Sequence, residues 1–213
     1  ADYNVAVGTN TLGKLTANNE GYNVAVGYKA GEAITSGTRN TLVGYIAGDA
    51  ITTGLQNTMI GKGAGTTATV ASMSVFLGDG AGEGVTTGNS NIAIGQDAMV
   101  GSTTGDHNIA IGYHAGDALT SGQQNVLMGL NAGGALTTTS YNVSIGSMSG
   151  RAMTDAYNNA ILGYGAMGNS TSGQSMVAVG YGAMGDGVVT TAAVGSVAVG
   201  NCALNALTSG PRN

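Results

Sequence analysis

The chain has no tryptophan, one phenylalanine, one proline and one cysteine in 213 residues, and each shortage removes a possibility. With so few bulky rings, a globular core of the usual kind would lack its largest fillers. The lone thiol, Cys202, excludes an intrachain disulfide, and its expected role is that of a small packed residue. Charge is scarce too. Only 8% of residues are Asp, Glu, Lys or Arg, about a third of the usual share. The basic residues, Lys14, Lys29, Lys62, Arg39, Arg151 and Arg212, are scattered along a chain of net charge −5, so nucleic acid is not an expected partner. No apolar run reaches the roughly 18 residues that a membrane span needs, and no basic stretch precedes an apolar one at the start. Neither membrane insertion nor a signal peptide is expected.

What the chain has in plenty is glycine, 39 residues, and small aliphatic side chains, which bring the hydrophobic share to 42%. Ample aliphatics with little charge oppose disorder, so the chain is expected to fold. The manner of folding is set by a repeat. The pattern Asn-x-Ala-Val-Gly recurs with anchor glycines at 8, 27, 44, 61, 78, 95, 112, 129, 146, 163, 180 and 200, and from Gly27 to Gly180 every spacing is 17 residues. Fixed periodicity of this length signals a solenoid.

The residue before each anchor is aliphatic in all twelve copies, from Val7 to Val199, and the residue three before is Val, Ile or Ala in ten. These alternate positions define one face of a β-strand. The position between them, occupied for example by Ala25, Leu42, Met59, Phe76 and Ala178, points the other way and is apolar in eleven copies. One coil can cover only one face with its own interior, so the second face needs a partner, and a neighbouring subunit is the simplest. The small Ala-Gly pair would allow close backbone approach to that subunit, and the sequence leaves open which face is the inner one.

Other columns are as regular. Alanine stands three after the anchor in ten copies, threonine eight after it in eleven, from Thr16 to Thr208, and asparagine four before it in nine. Stacked asparagines can hydrogen-bond from coil to coil. The Thr/Ser-Gly pairs that follow the threonine, as at Thr53-Gly54, Thr87-Gly88 and Ser121-Gly122, supply a turn residue able to adopt positive φ. Seventeen residues are too few for two helices, and this glycine content disfavours helix at about 1 kcal/mol per residue. The fold expected is all-β, a parallel β-helix or β-roll solenoid of about 12 coils over residues 1–213 as a single repeat domain. At a coil spacing of about 4.8 Å this makes a rod of roughly 55 to 60 Å. Ala1 and Asn213 fall within the repeat pattern and no cap is evident, so the domain is expected to be a segment of a longer fibre.

The motif Asn-Val-Ala-Val-Gly-Tyr-Lys-Ala-Gly at 23–31, nearly repeated at 108–116, resembles repeats in the shafts of phage tail fibres. It is also similar to the β-roll head repeats of trimeric autotransporter adhesins, whose coil is shorter and lacks the extra Thr-Ser-Gly turn. The resemblance covers essentially the whole chain. It implies a homotrimer, an extracellular location on a virion tail fibre and a part in host attachment, with a bacterial cell-surface adhesin as the alternative owner.

Few residues offer chemistry, and neither an enzyme, a metal centre nor a cofactor is expected. His107 and His114 lie seven apart, which is not a recognised ligand spacing. Glu32 and Asp49 share a column on adjacent coils, and like charges at that distance raise one pKa as in a glycosidase pair. Thr66 ends the pair in the next coil, so solvated turn charges are the expectation. The stretch Gly78-Asp79-Gly80-Ala81-Gly82-Glu83-Gly84 lacks the nine-residue calcium-roll unit and is read as a turn. Tyr28, Tyr45, Tyr113, Tyr164 and Tyr181 follow anchor glycines and are expected to pack over the coil edge, though an exposed ladder of them would suit host-surface glycans. The threonine column raises an ice-binding solenoid as a third reading. Its threonines are adjacent, as at Thr52-Thr53, so in an extended strand they would point to opposite faces.

Overall fold

The computed structural model describes residues 3–16, 21–101, 103–187 and 194–206, so Ala1, Thr208, Arg212 and Asn213 lie outside the described residues. Among the described residues there is no helix, and every regular element is a three-residue strand in parallel pairing. The chain divides into two compact units, residues 1–107 and 108–213. Each is a parallel β-solenoid.

In the first unit, β1 (Val5–Val7), β2 (Val24–Val26), β3 (Thr41–Val43), β4 (Thr58–Ile60), β5 (Val75–Leu77) and β6 (Ile92–Ile94) stack in chain order. In the second, β7 (Ile109–Ile111), β8 (Val126–Met128), β9 (Val143–Ile145), β11 (Ala160–Leu162), β13 (Val177–Val179) and β14 (Val197–Val199) do the same. Register follows the repeat: Ala25 pairs with Leu42 and Leu42 with Met59, one coil apart. A short second sheet joins β10 (Asp155–Tyr157) to β12 (Ser172–Gln174) in the second unit, where the sequence suggested only turn.

The inner face is the central strand position. Ala25, Leu42, Met59, Phe76 and Ala93 in the first unit, and Ala110, Leu127, Ser144, Ile161 and Ala178 in the second, are buried inside their own solenoid. The expectation that the Ala-Gly pair meets a neighbouring subunit is therefore corrected. The alanine faces the coil's interior, and the anchor glycine's close contact is with the next coil of the same chain. A Cβ on Gly61 would stand 2.2 Å from the carbonyl oxygen of Gly78, and one on Gly112 would stand 2.5 Å from that of Gly129. Both glycines also have φ near +140°, a region L side chains rarely adopt.

The turn glycines need a different correction. Gly54, Gly88 and Gly122 are not at positive φ. Their side chain is missing because a Cβ would lie 2.2 to 2.3 Å from a carbonyl oxygen of the following coil. Positive φ is instead found at non-glycine corners five before the anchor, including Tyr22, Arg39, Gln56 and Gln124.

Size complementarity fills the interior. Four after the anchor, glycine occurs beside large strand residues: a Cβ on Gly31 would stand 2.7 Å from Leu42, on Gly82 2.6 Å from Phe76, and on Gly116 2.8 Å from Leu127. Where the strand residues of a coil and its successor are alanine, as at Ala178 and Ala198, the same position holds a buried Met184. A further buried column, Ile34, Ile51, Val85, Leu119, Leu136 and Met153, stands seven after the anchor.

The asparagine column is a hydrogen-bonded ladder in both units. The amide Nδ2 of Asn40 donates to Asn23 Oδ1 at 3.0 Å and to the Gly54 carbonyl at 3.0 Å, while its backbone N–H also donates to Asn23 Oδ1. Asn125 and Asn142 repeat this arrangement. Each such side chain accepts twice and donates twice, which satisfies a buried amide in full. Ser74 keeps the column polar, since its N–H donates to Asn57 Oδ1 and its hydroxyl accepts from Asn91 N–H.

Candidate functional site

The strand positions flanking the buried one face outward, and they carry the aliphatic side chains. On this face Val5, Val24, Ile60, Val143, Leu162 and Val197 are among residues 38 to 68% exposed. Each unit thus presents a column made mostly of Val, Ile and Leu, half-exposed to exposed, interrupted by Thr41 and Thr58 in the first unit and Met128 in the second. Isolated exposed aliphatics are ordinary, but a contiguous row repeated coil after coil marks an interaction surface. The surface is uncharged as well, because no strand of this sheet contains Asp, Glu, Lys or Arg.

The threonine column is structural. Thr35 Oγ1 donates to the Thr52 carbonyl at 3.2 Å, Thr52 Oγ1 to that of Thr69 at 3.0 Å, and Thr120 Oγ1 to that of Thr137 at 3.1 Å. These hydroxyl protons are spent along the coil axis, while that of Thr103 goes to the Gly101 carbonyl in its own coil.

The tyrosines after the anchors do not pack down over the coil edge. Tyr28 and Tyr45 stack at 5.4 Å between ring centroids, Tyr164 and Tyr181 do so at 5.4 Å, and all four rings stay exposed. The position is outward-facing, so stacking on the next ring along the axis is the burial open to it. A third stacked pair, Tyr3 and Tyr22 at 5.0 Å, lies five before the anchor, a column to which the sequence reading gave no role.

The acidic column is divided among different partners. Glu32 forms an ion pair with Lys29 at 3.0 Å, which raises the lysine's pKa above its ordinary value. Asp49 has its carboxyl pKa raised, chiefly by burial and secondarily by the charge of Glu32, and its Oδ1 is buried without a hydrogen-bond partner. Asp117 pairs with His114 Nδ1 at 3.1 Å, and the His114 ring meets Tyr113 edge-on. His107 occupies a positive-φ corner, where its N–H donates to the Asn89 carbonyl. Asp79 of the glycine-rich stretch pairs with Lys62 at 3.4 Å, both well exposed, and Gly82 accommodates the inward Phe76. Among the described residues, no three His, Cys, Asp or Glu side chains gather in a way that could hold a metal ion. Cys202 is exposed rather than packed, because the second position after the anchor points outward.

These features define the class of the protein as a parallel β-solenoid repeat. Comparison of the chain with protein-family models, curated proteins and solved structures finds no match.

Proposed function

We propose that the chain is a structural, non-catalytic segment of an extracellular fibre, a spacer of the kind found in phage tail-fibre shafts, which assembles as a homotrimer through its outward strand face. The observation that carries this reading is the uncharged aliphatic column on that face. Burying it against copies of itself would contribute about 25 cal/mol per Å² of apolar surface removed from water. In-register strands present the same side chains at a constant spacing, which suits repeated copies of one chain better than an irregular partner. A bacterial trimeric surface adhesin would use the same face. Ice binding is disfavoured because column threonines such as Thr35, Thr52 and Thr120 give their hydroxyl protons to the next coil. Sedimentation equilibrium is the test: a species of three chain masses is expected, and a stable monomer at micromolar concentration would overturn the assembly.

A further inference from the structure

The second unit contains a cleft that the repeat alone would not create. Its side wall is the stacked pair Tyr164 and Tyr181, 51% and 61% exposed. Its floor is glycine in two successive coils, Gly165 and Gly168 followed by Gly182 and Gly185. In the first unit the same positions beside the Tyr28–Tyr45 stack carry Lys29, Glu32, Ile46 and Asp49, so that floor is filled. A Cβ placed on Gly165 would meet no atom within 4 Å, which shows how open the floor is.

Along the coil axis the glycine floor ends at Met148 and Cys202, and a polar column runs beside it. On one side the Arg151 guanidinium donates to Asn169 Oδ1 at 3.1 Å, which holds it across the opening. On the other, Asn205 Nδ2 donates to Asp186 Oδ2, while Asn205 Oδ1 accepts the N–H groups of Gly185 and Asp186 at 3.1 Å each. Arg151 and Asn205 stand on the outer two of four successive coils and reach inward to Asn169 and Asp186, which stand on adjacent coils about 4.8 Å apart. A wall of two stacked rings 5.4 Å apart suits a single sugar ring.

We infer that this cleft binds a neutral carbohydrate, with the sugar's C–H face against the tyrosine wall and its hydroxyls bonded to Arg151, Asn169, Asp186 and Asn205. Three features select this chemistry. The aromatic wall favours a ligand with an apolar face. The rim mixes donors and acceptors, which hydroxyl groups match because each both donates and accepts, whereas an apolar ring would leave the rim groups desolvated and unpaired. One cation faces one anion across the opening, so a charged ligand would meet repulsion at one end or the other. The inference does not rest on the spacer reading, since the cleft lies on the coil edge rather than on the strand face, and either can fail alone.

The test is a glycan array of neutral and acidic glycans probed with the full chain, followed by titration of any bound glycan against variants. Gly165→Asn should fill the floor without straining the backbone, because Asn131 occupies the same column at φ 53° while Gly165 has φ 62°. Tyr181→Ala removes half of the wall. Each variant should bind at least about tenfold more weakly, a change of about 1.4 kcal/mol, with an unchanged melting temperature. Tyr45→Ala, at the filled stack, should bind as the parent does. A parent that binds no glycan, or only acidic ones, would overturn the inference, as would binding that survives both Gly165→Asn and Tyr181→Ala.

Discussion

At the scale of single residues, the anchor glycine and the residue before it make opposite demands. Gly112 combines φ +136° with a would-be Cβ 2.5 Å from the Gly129 carbonyl oxygen, so Gly112→Val should both strain the backbone and push adjacent coils apart. Ile111 faces outward and is half-buried, and Ile111→Val should cost at most about 1 kcal/mol. Thermal melting of both variants should show a large loss for the first and little for the second. Invariance of glycine in twelve copies revealed that the position was special, and the structure shows that both causes act there. At Gly54 and Gly122 the sequence suggested the wrong cause, since close approach and positive φ leave the same letter.

Asp49 makes a prediction of a different kind. Burial raises its carboxyl pKa above the ordinary 3.8, so the folded state holds that proton more tightly than the unfolded chain does. Stability from this group is then greatest below the unfolded value and is lost as pH rises through the folded one. Asp49→Asn should raise the melting temperature at neutral pH, with the advantage shrinking as pH falls through the raised folded value and gone below about 4. The gain should stay under about 1 kcal/mol because the carboxyl is only partly buried and solvent screens it. A parent and variant with parallel pH profiles would contradict it.

At the scale of the element, the strand and its following turn are packed as a pair. Leu127 fits because Gly116 carries no side chain, whereas Met184 fits because its strand neighbours are alanines. Gly116→Met should therefore overpack the coil by about 1 to 3 kcal/mol, and Leu127→Ala should leave a cavity worth about 2 to 5 kcal/mol. Combined, they recreate a pairing used elsewhere in the chain, and the double variant should be more stable than the two losses added together. Denaturant melts of all three variants would measure the coupling, and simple additivity would contradict the pairing. This relation was hidden in the sequence because it links columns of adjacent coils, while a column-by-column reading treats each position alone. The strands, the 17-residue step and the asparagine ladder were legible because each repeats within one column. The cleft beside Tyr164 and Tyr181 was not, since it is made by what those coils lack.

At the scale of the whole molecule, the periodic sequence showed that both strand faces are apolar but not which one is covered. The geometry of a narrow coil resolves this: the central residue goes inside with Asn and Ala, and the flanking Val and Ile are left outside. The most direct test of the account places one charge on the outward face of each unit, Ile60→Asp and Leu162→Asp together, and measures sedimentation alongside circular dichroism. Both residues are more than 40% exposed, so the β-sheet signal and the fold should persist. The parent should sediment as an assembly of several chains and the double variant as a single chain. An assembly that survives both charges, or a fold that collapses with them, would contradict an outward face built for self-association.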